Sequence, residues 1–222
     1  MSIELKGKYV GAMVGSALGD AIGELAFRCP EQEPLKALVS RTAELVYTDD
    51  TAMAIGLAES LLEKRGIDQQ HLGETFNRNF FREPWRGYAS GPPAIFSRVR
   101  SQGMSYVEAA KALFDGWGSF GNGAAMRIGP VGLFFHRSNN LYDEACASAE
   151  VTHAHPVGKD GAAIVNGFAE NVYTEELMKK PLCRIVLVAG LPSYVAESPR
   201  IIGIDGVEEG VPESGPEHAD PP

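Results

Sequence analysis

The sequence predicts an all-α domain over residues 1–182, followed by an irregular tail over residues 183–222. Apolar residues recur at helical spacing through Ala-rich runs, and strand-like alternation is scarce before residue 183. After Pro181 the pattern changes, because short β-branched segments at 184–188 and 200–202 favour strand or extended chain. The last twenty residues are rich in Gly, Pro and acids, which is typical of disorder. A chain of 222 residues is long enough to bury one sizeable core.

The first predicted helix runs from about Leu5 to Leu25, and four glycines recur along it at every fourth residue. This spacing places them on one slowly drifting stripe: Gly11, Gly15, Gly19 and Gly23. Since each glycine costs a helix about 1 kcal/mol relative to Ala, the stripe indicates close approach, either of another helix or of a ligand. Asp20 and Glu24 are four residues apart, so both carboxylates lie on one face near the C-terminal end of the helix. Acids on a solvent-exposed surface would show the same spacing.

The other elements are predicted from their start and stop signals. Residues 29–46 are expected to form a loop, and a helical run follows from Met53 to Lys64. Asp68 is expected to cap a helix that runs to Phe81, and Pro92 and Pro93 are expected to open one that runs to Gln102. Ser105 and Glu108 have the spacing of a capping box ahead of a helix at Ala109–Phe114. Asn140 is expected to cap a helix to Val151, and Gly158 or Asp160 is expected to start a helix that reaches Lys179.

Charge and cysteine usage bound the partners and the compartment. Six acids and no Lys or Arg lie between Gly203 and Pro222, so the rest of the chain carries −3 of the net charge of −9. We therefore expect neither nucleic acid nor an anionic membrane as a partner. Cys29, Cys146 and Cys183 are scattered and odd in number, which favours a reducing compartment. No signal peptide is evident and the longest uncharged stretches are too short to span a bilayer, so the expected location is cytoplasmic.

The most informative motif is Thr-Asp-Asp-Thr at residues 48–51, at the start of the second major helix. Adjacent carboxylates with a capping hydroxyl can converge on a hard divalent cation such as Mg²⁺, which prefers oxygen ligands. Thr48 as N-cap with acids in the first turn is equally ordinary helix-start chemistry. Both interpretations remain open at this point.

Three further segments carry residues suited to chemistry. Residues 85–91 form a turn-prone loop with an aromatic residue and an Arg, and the Gly-rich segment 119–127 leads into an apolar helix. Backbone N–H groups at such a helix start can hold phosphate oxygens, although a tight connection would use the same glycines. In 152–156, Thr-His-Ala-His-Pro invites a metal site, but imidazole suits Zn²⁺ or Fe²⁺ better than a hard ion. We favour His153 as a hydrogen-bonding residue, with a structural histidine as the alternative.

Five motifs in this order resemble those of the ADP-ribosylglycohydrolase family, over roughly residues 8–170. They are GAMVGSALGDAIGE (11–24), YTDDTAMA (47–54), RGYASG (86–91), SFGNGAAMR (119–127) and THAHPVGKDGA (152–162). The resemblance implies a compact orthogonal helical domain with a binuclear Mg²⁺ site at the base of an ADP-ribose cleft. It implies an enzyme that hydrolyses the glycosidic bond joining ADP-ribose to a protein side chain or a small conjugate.

The resemblance also implies roles for individual residues. The metal ligands would be Thr48, Asp49 and Asp50, with either aspartate as the base, and Glu24 would act as a flap glutamate near the scissile bond. The residues implied to bind ADP-ribose are Gly87, Tyr88 and Gly91 near the ribose and phosphates, Ser119, Phe120, Gly121 and Asn122 around the diphosphate and adenine, and His153 facing a ribose.

The chain departs from the family pattern in one respect. Family members complete the metal site with an Asp-x-Asp-Thr motif on a later helix, and this sequence has no such motif. The resemblance therefore covers a domain that is incomplete relative to the family, with two, one or no Mg²⁺ ions. The leading interpretation is a Mg²⁺-dependent ADP-ribosyl hydrolase acting on ADP-ribosylated protein. The alternatives are a catalytically silent ADP-ribose-binding protein and a structural domain without a ligand.

Overall fold

The computed structural model of the protein describes the backbone of residues 3–172 and the side chains of residues 6–166. This part of the chain is helical and contains no strand, which confirms the all-α prediction. The predicted strands at 184–188 and 200–202, the end of the last helix near Lys179 and the tail lie outside the described residues. The helices are α1 (Ile3–Arg28), α2 (Gln32–Arg41), α3 (Asp49–Lys64), α4 (Gln69–Arg82), α5 (Gly91–Gln102), α6 (Tyr106–Lys111), α7 (Gly129–Phe134), α8 (Leu141–Glu150) and α9 (Pro156–Val172).

Most of the predicted helix starts are confirmed by their capping groups. The Asp68 carboxylate accepts a hydrogen bond from the backbone N–H of His71 at 2.9 Å, at the start of α4. Ser105 and Glu108 form the predicted capping box, in which each side chain bonds the other residue's backbone N–H. Two prolines occupy the first turn of α5, where the missing N–H groups have no partner to lose.

Three elements differ from the sequence prediction. The expected loop at 29–46 contains helix α2. Leu35, Leu38 and Val39 have helical spacing on one face, but none of them is buried. Pro34 lies in the first turn, where proline is tolerated, and it was misleading as a loop signal. Helix α6 ends at Lys111 rather than Phe114, since Phe114 and Asp115 adopt left-handed backbone angles. Helix α9 begins at Pro156, ahead of the predicted start, because proline suits the first helical position.

The hydrophobic core lies where α3 packs against α4 and α7, and where α8 packs against α9. The largest fully buried apolar side chains come from these helices, from α5 and from the residues that flank α7 and α8, and they are Leu57, Leu61, Leu72, Phe76, Ile95, Ile128, Val131 and Val151. Helix α1 packs against α2, α3 and α7 at the edge of this arrangement. The core therefore fixes α3, and with it the Thr-Asp-Asp-Thr motif at the N-terminus of α3.

The glycine stripe of α1 has no close neighbour among the described residues. A Cβ atom added at any of its four glycines would meet no atom within 4 Å, so the expected close packing is not formed in this part of the chain. Val10 and Val14 on the same helix are more than half exposed. By length and composition alone, residues 6–28 of this helix could cross a bilayer, with a mean hydropathy of 1.3. Core helices of soluble proteins and signal sequences meet the same criteria. The sequence prediction counted uncharged stretches only and missed this segment.

Candidate active site

The first turn of α3 is built by two local contacts. Thr48 is the N-cap, and its Oγ1 accepts a hydrogen bond from the backbone N–H of Asp50 at 3.4 Å. The backbone N–H of Asp49 donates to the carbonyl oxygen of Arg86 at 2.7 Å. The capping prediction is therefore confirmed, and the 86–91 loop is joined directly to the helix start.

Asp20, on α1, holds the same turn from the opposite side. Its carboxylate accepts hydrogen bonds from the backbone N–H and hydroxyl of Thr48, at 2.9 and 2.6 Å. It also accepts from the N–H and hydroxyl of Thr51, at 3.1 and 2.6 Å. The sequence pattern placed Asp20 on a face with Glu24, but no spacing rule indicated that it would bind a turn some thirty residues later. Asp20 is therefore a site residue that the sequence analysis missed.

The two aspartates of α3 are held in a poorly solvated position. Burial, followed by the nearby charges of Asp20 and Asp49, raises the pKa of Asp50 to about 7. Burial is also the main cause that raises the pKa of Asp49 to about 6, and the Asp49 N–H group and the more distant Arg127 partly offset it. The buried Oδ2 of Asp50 has no hydrogen-bond partner among the described residues. A nearby positive charge would offset the repulsion between these carboxylates and would favour the ionised form of both aspartates.

The donor set suits a hard cation. Asp49 and Asp50 offer carboxylate oxygens, and Mg²⁺ is commonly held by one or two carboxylates with waters filling the other positions. The unpartnered Oδ2 of Asp50 is free to take such a role. Within residues 3–172, no group of three or more His, Cys, Asp or Glu side chains is arranged to hold a metal ion. The described residues thus fit a cation held by two aspartates and solvent.

Glu24 lies one helical turn beyond Asp20 and lines a cleft of about 320 Å³. The walls of this cleft include Thr48, Trp85 and Gly87, so the cleft opens beside the helix start. The Glu24 carboxylate is 3.6 Å from the guanidinium of Arg28 and is substantially exposed. Glu24 therefore lines the cleft with a carboxylate that reaches solvent.

The 86–91 loop contacts the aspartates through glycine. Gly87 has a φ of +90°, and a Cβ there would lie 3.8 Å from Asp49 Oδ1, so the loop passes close to this carboxylate. Tyr88 packs edge-on against Phe80, and burial together with the Asp49 charge raises its pKa to about 12. Gly91 begins α5 and faces Leu113 instead. Two of the three predicted residues thus lie at the aspartates.

The Gly-rich segment forms a turn that presents its side chains to solvent. Ser119 Oγ accepts a hydrogen bond from the N–H of Gly121 at 3.2 Å, and Asn122 opens a short 3₁₀ helix that ends at Ala124. The Phe120 ring is 67% exposed and contacts His155 edge-on, with ring centroids 5.5 Å apart. An exposed aromatic ring on a Gly-rich turn is available for stacking against a planar ligand.

His153 and the start of α9 pack directly against this turn. A Cβ at Gly123 would lie 2.6 Å from the His153 ring, and one at Gly158 would lie 2.9 Å from the carbonyl oxygen of Ser119. His153 is buried, and burial followed by the charge of Arg127 lowers its pKa to about 3. The imidazole is therefore neutral where it lies against the glycine turn, and its Nδ1 is hydrogen bonded to Thr152 Oγ1 at 2.8 Å.

Arg127 connects the two halves of the site beneath the surface. Its guanidinium is fully buried, donates to Thr152 Oγ1 at 2.7 Å, and approaches Met53 Sδ of α3 at 4.0 Å. Its charge also reaches Asp49. The sequence analysis quoted Arg127 within the Gly-rich segment but gave it no role, because a lone Arg after an apolar turn does not indicate burial. The predicted residues therefore form two groups, one around Asp49 and Asp50 and one around Ser119 and His153, with Arg127 between them.

Comparison with known proteins identifies the family of the chain. Residues 1–203 match the family described as ADP-ribosylglycohydrolase. The chain is 37% identical to human ADP-ribosylhydrolase ARH3 over 135 residues, which is 60% of this chain and 37% of that protein. It is 35% identical over 147 residues to an uncharacterized protein of Archaeoglobus fulgidus, covering 63% of this chain and 45% of that protein.

A solved structure described as an ADP-ribosylglycohydrolase-related protein complex has the same fold. The match has a TM-score of 0.55 at 24% identity and covers 74% of this chain and 55% of that chain. The chain thus spans a little over a third of the length of the ARH3 proteins that it matches. On the family match over most of its length, the chain belongs to the ADP-ribosylglycohydrolase family.

Proposed function

We propose that the protein hydrolyses the glycosidic bond between ADP-ribose and a protein side chain or a small conjugate, with Mg²⁺ held by Asp49 and Asp50. The observation that carries this proposal is the pair of adjacent aspartates at the start of α3, of which Asp49 is half-buried and Asp50 is buried with an unpartnered oxygen. Family membership and the similarity to ADP-ribosylhydrolases support the choice of substrate.

The residues of the chain take distinct parts in the proposed reaction. Thr48 and Asp20 hold the first turn of α3 so that both aspartates keep their positions. Asp49 or Asp50 accepts the proton of the attacking water, and Glu24 stands at the cleft mouth near the leaving group. A divalent cation, when bound, supplies the positive charge that polarises water and sugar hydroxyls.

The second group of residues binds the nucleotide in this proposal. Ser119, Gly121 and Asn122 surround the diphosphate, Phe120 stacks on the adenine, and His153 donates a hydrogen bond from below the turn. Gly87 and Tyr88 border the ribose because they lie beside Asp49. Catalysis and binding thus use different segments of the chain, and the contacts of Arg127 with Met53 of α3 and with Thr152 connect these segments.

A catalytically silent ADP-ribose-binding protein is the second candidate. Within the described residues the metal site offers two aspartates and no third acidic, His or Cys ligand, whereas the turn around Ser119 and its contacts with His153 are fully formed. Such a protein would bind ADP-ribose without cleaving its conjugates.

The two candidates are separated by measuring free ADP-ribose released from ADP-ribosylated protein. We expect release with Mg²⁺ and its loss when EDTA removes the cation, with ADP-ribose binding followed in parallel by calorimetry. Binding without release under either condition would contradict the hydrolase and support the silent binder. The absence of both binding and release would contradict both candidates.

Gly158→Ala tests whether the 119–123 turn binds the ligand. The added methyl would lie 2.9 Å from the Ser119 carbonyl oxygen, a backbone atom, so the turn must shift. We expect the affinity for ADP-ribose to fall about tenfold by calorimetry, with a loss of about 1–3 kcal/mol in the free energy of unfolding.

Gly161→Ala, in the same helix, is the matched control. A Cβ at Gly161 would meet no described atom within 4 Å, so this variant should keep its affinity and gain up to about 1 kcal/mol of stability from helix propensity. Equal affinities for the two variants would show that the turn does not contact the ligand.

A further inference from the structure

Three side chains form a hydrogen-bonded relay beneath the Gly-rich turn. The guanidinium Nη2 of Arg127 is 2.7 Å from Thr152 Oγ1, which is 2.8 Å from His153 Nδ1. Arg127 and Thr152 are fully buried, and His153 is 7% exposed. Two further hydrogen bonds, to the carbonyl oxygens of Gly123 and Ser148, fix the guanidinium, so the relay has one rigid end.

The chemistry of these groups sets the direction of each hydrogen bond. A guanidinium can only donate, so Thr152 Oγ1 accepts from Arg127. The single hydroxyl proton of Thr152 is then available to His153 Nδ1, which is the other hydrogen-bond partner of this oxygen within the described residues. If Nδ1 carried a proton instead, two donors would point at the same oxygen, and the Thr152 hydroxyl proton would have no acceptor there.

The protonation state of His153 agrees with this direction. Burial and the adjacent positive charge of Arg127 both lower its pKa, to about 3, so the ring is neutral and carries one N–H proton. With Nδ1 as the acceptor, that proton resides on Nε2.

The Nε2 atom faces the Gly-rich turn and has no hydrogen-bond partner among the described residues. A Cβ at Gly123 would lie 2.8 Å from Nε2, and one at Gly121 would lie 3.7 Å away. An N–H group at this position is therefore available to donate to an acceptor on a ligand. The turn it faces is the segment on which the proposed function places the diphosphate.

We propose that Arg127 and Thr152 are positioning residues that lock His153 as the Nε2–H tautomer, so that it donates a hydrogen bond to a diphosphate oxygen of the ligand. The identity of the ligand rests on the proposed function, whereas the tautomer does not. Phosphate oxygens accept hydrogen bonds and do not donate them when ionised, so only this tautomer can bind them through Nε2.

The tautomer is measured directly by ¹⁵N NMR of the imidazole nitrogens in the full chain at neutral pH. The chain has five histidines, and the His153 signals are those lost in the His153→Gln variant. We expect a protonated Nε2 and an unprotonated Nδ1 in the wild type and in Thr152→Ser. Thr152→Val, which lacks the hydroxyl, should give a mixture of tautomers. A protonated Nδ1 in the wild type would overturn the proposal whatever the variants do.

Calorimetry with ADP-ribose and with ADP then tests the ligand group. Thr152→Val should bind both about tenfold more weakly, because they share the diphosphate, and Thr152→Ser should bind like the wild type. A loss for ADP-ribose alone would overturn the diphosphate assignment in favour of the distal ribose. Thr75→Val is the matched control, since Thr75 is fully buried and its hydroxyl has no partner among the described residues. It should change neither the tautomer nor the affinity.

These measurements also separate this proposal from the hydrolase. If no ADP-ribose is released by the wild type while the Nε2–H tautomer and the effect of Thr152→Val on ADP binding are both found, the hydrolase is refuted and the positioning role stands. If release occurs but Thr152→Val binds ADP as the wild type does, the positioning role is refuted.

Discussion

Asp50→Asn is expected to abolish the release of ADP-ribose while leaving the domain folded. The amide keeps the size of the side chain but loses the negative charge and the basicity that the proposed reaction requires. A loss of about 4 kcal/mol of transition-state stabilisation lowers the rate roughly a thousandfold. The measurement is single-turnover release of ADP-ribose in Mg²⁺, with circular dichroism to confirm the fold.

The same variant should stabilise the protein in EDTA at pH 8. The pKa of Asp50 is raised from 3.8 to about 7 in the folded state, so the folded state binds more protons than the unfolded state between these values. Its favourable contribution is complete below pH 3.8 and is lost as the pH rises through about 7. After a discount for solvent, we expect Asp50→Asn to recover roughly 2 kcal/mol at pH 8 and little at pH 4.

The comparison of variant and wild type isolates Asp50 from His153, which contributes in the opposite sense. The lowered pKa of His153 makes stability rise with pH up to about 6.5, equally in both proteins. Asp68→Asn is the control, because it changes the same residue type at the start of α4 and Asn retains the cap. Wild-type release by Asp50→Asn, or an unchanged pH dependence of its stability, would refute the role and environment assigned to Asp50.

Asp20→Ala is expected to lower the free energy of unfolding by about 3 kcal/mol or more. The carboxylate accepts four hydrogen bonds from Thr48 and Thr51, and its removal leaves two backbone N–H groups at the start of α3 without that acceptor. The α1–α3 contact would weaken with it. Urea unfolding in EDTA measures this loss without any contribution from a bound cation.

Two controls define what is particular to Asp20. Asp68→Ala removes a cap that makes one hydrogen bond within its own helix, and it should cost about 1 kcal/mol. Glu24→Ala, one turn further along α1, should cost less still because its ion pair with Arg28 is exposed. If Asp20→Ala cost no more than Asp68→Ala, the long-range clamp would not be the main support of this turn.

Local sequence signals predicted much of the fold because they depend on neighbours in the chain. Asp68, Ser105 and Pro92 act within one helical turn, and each marks a helix start that the structure confirms. Helix α2 was missed because its apolar stripe is short, formed by Leu35, Leu38 and Val39, and follows a proline that resembles a loop signal.

The sequence by itself determined the helical class, most helix starts and the motifs that mark the family, because spacing and capping are properties of short segments. Only the tertiary structure decided that Asp20 clamps the aspartate turn and that a buried Arg127 joins that turn to the histidine below the glycines. The physical reason is that burial removes water from groups distant in sequence. Their charges and hydrogen bonds then depend on which helices pack together, and no local pattern of residues encodes that choice.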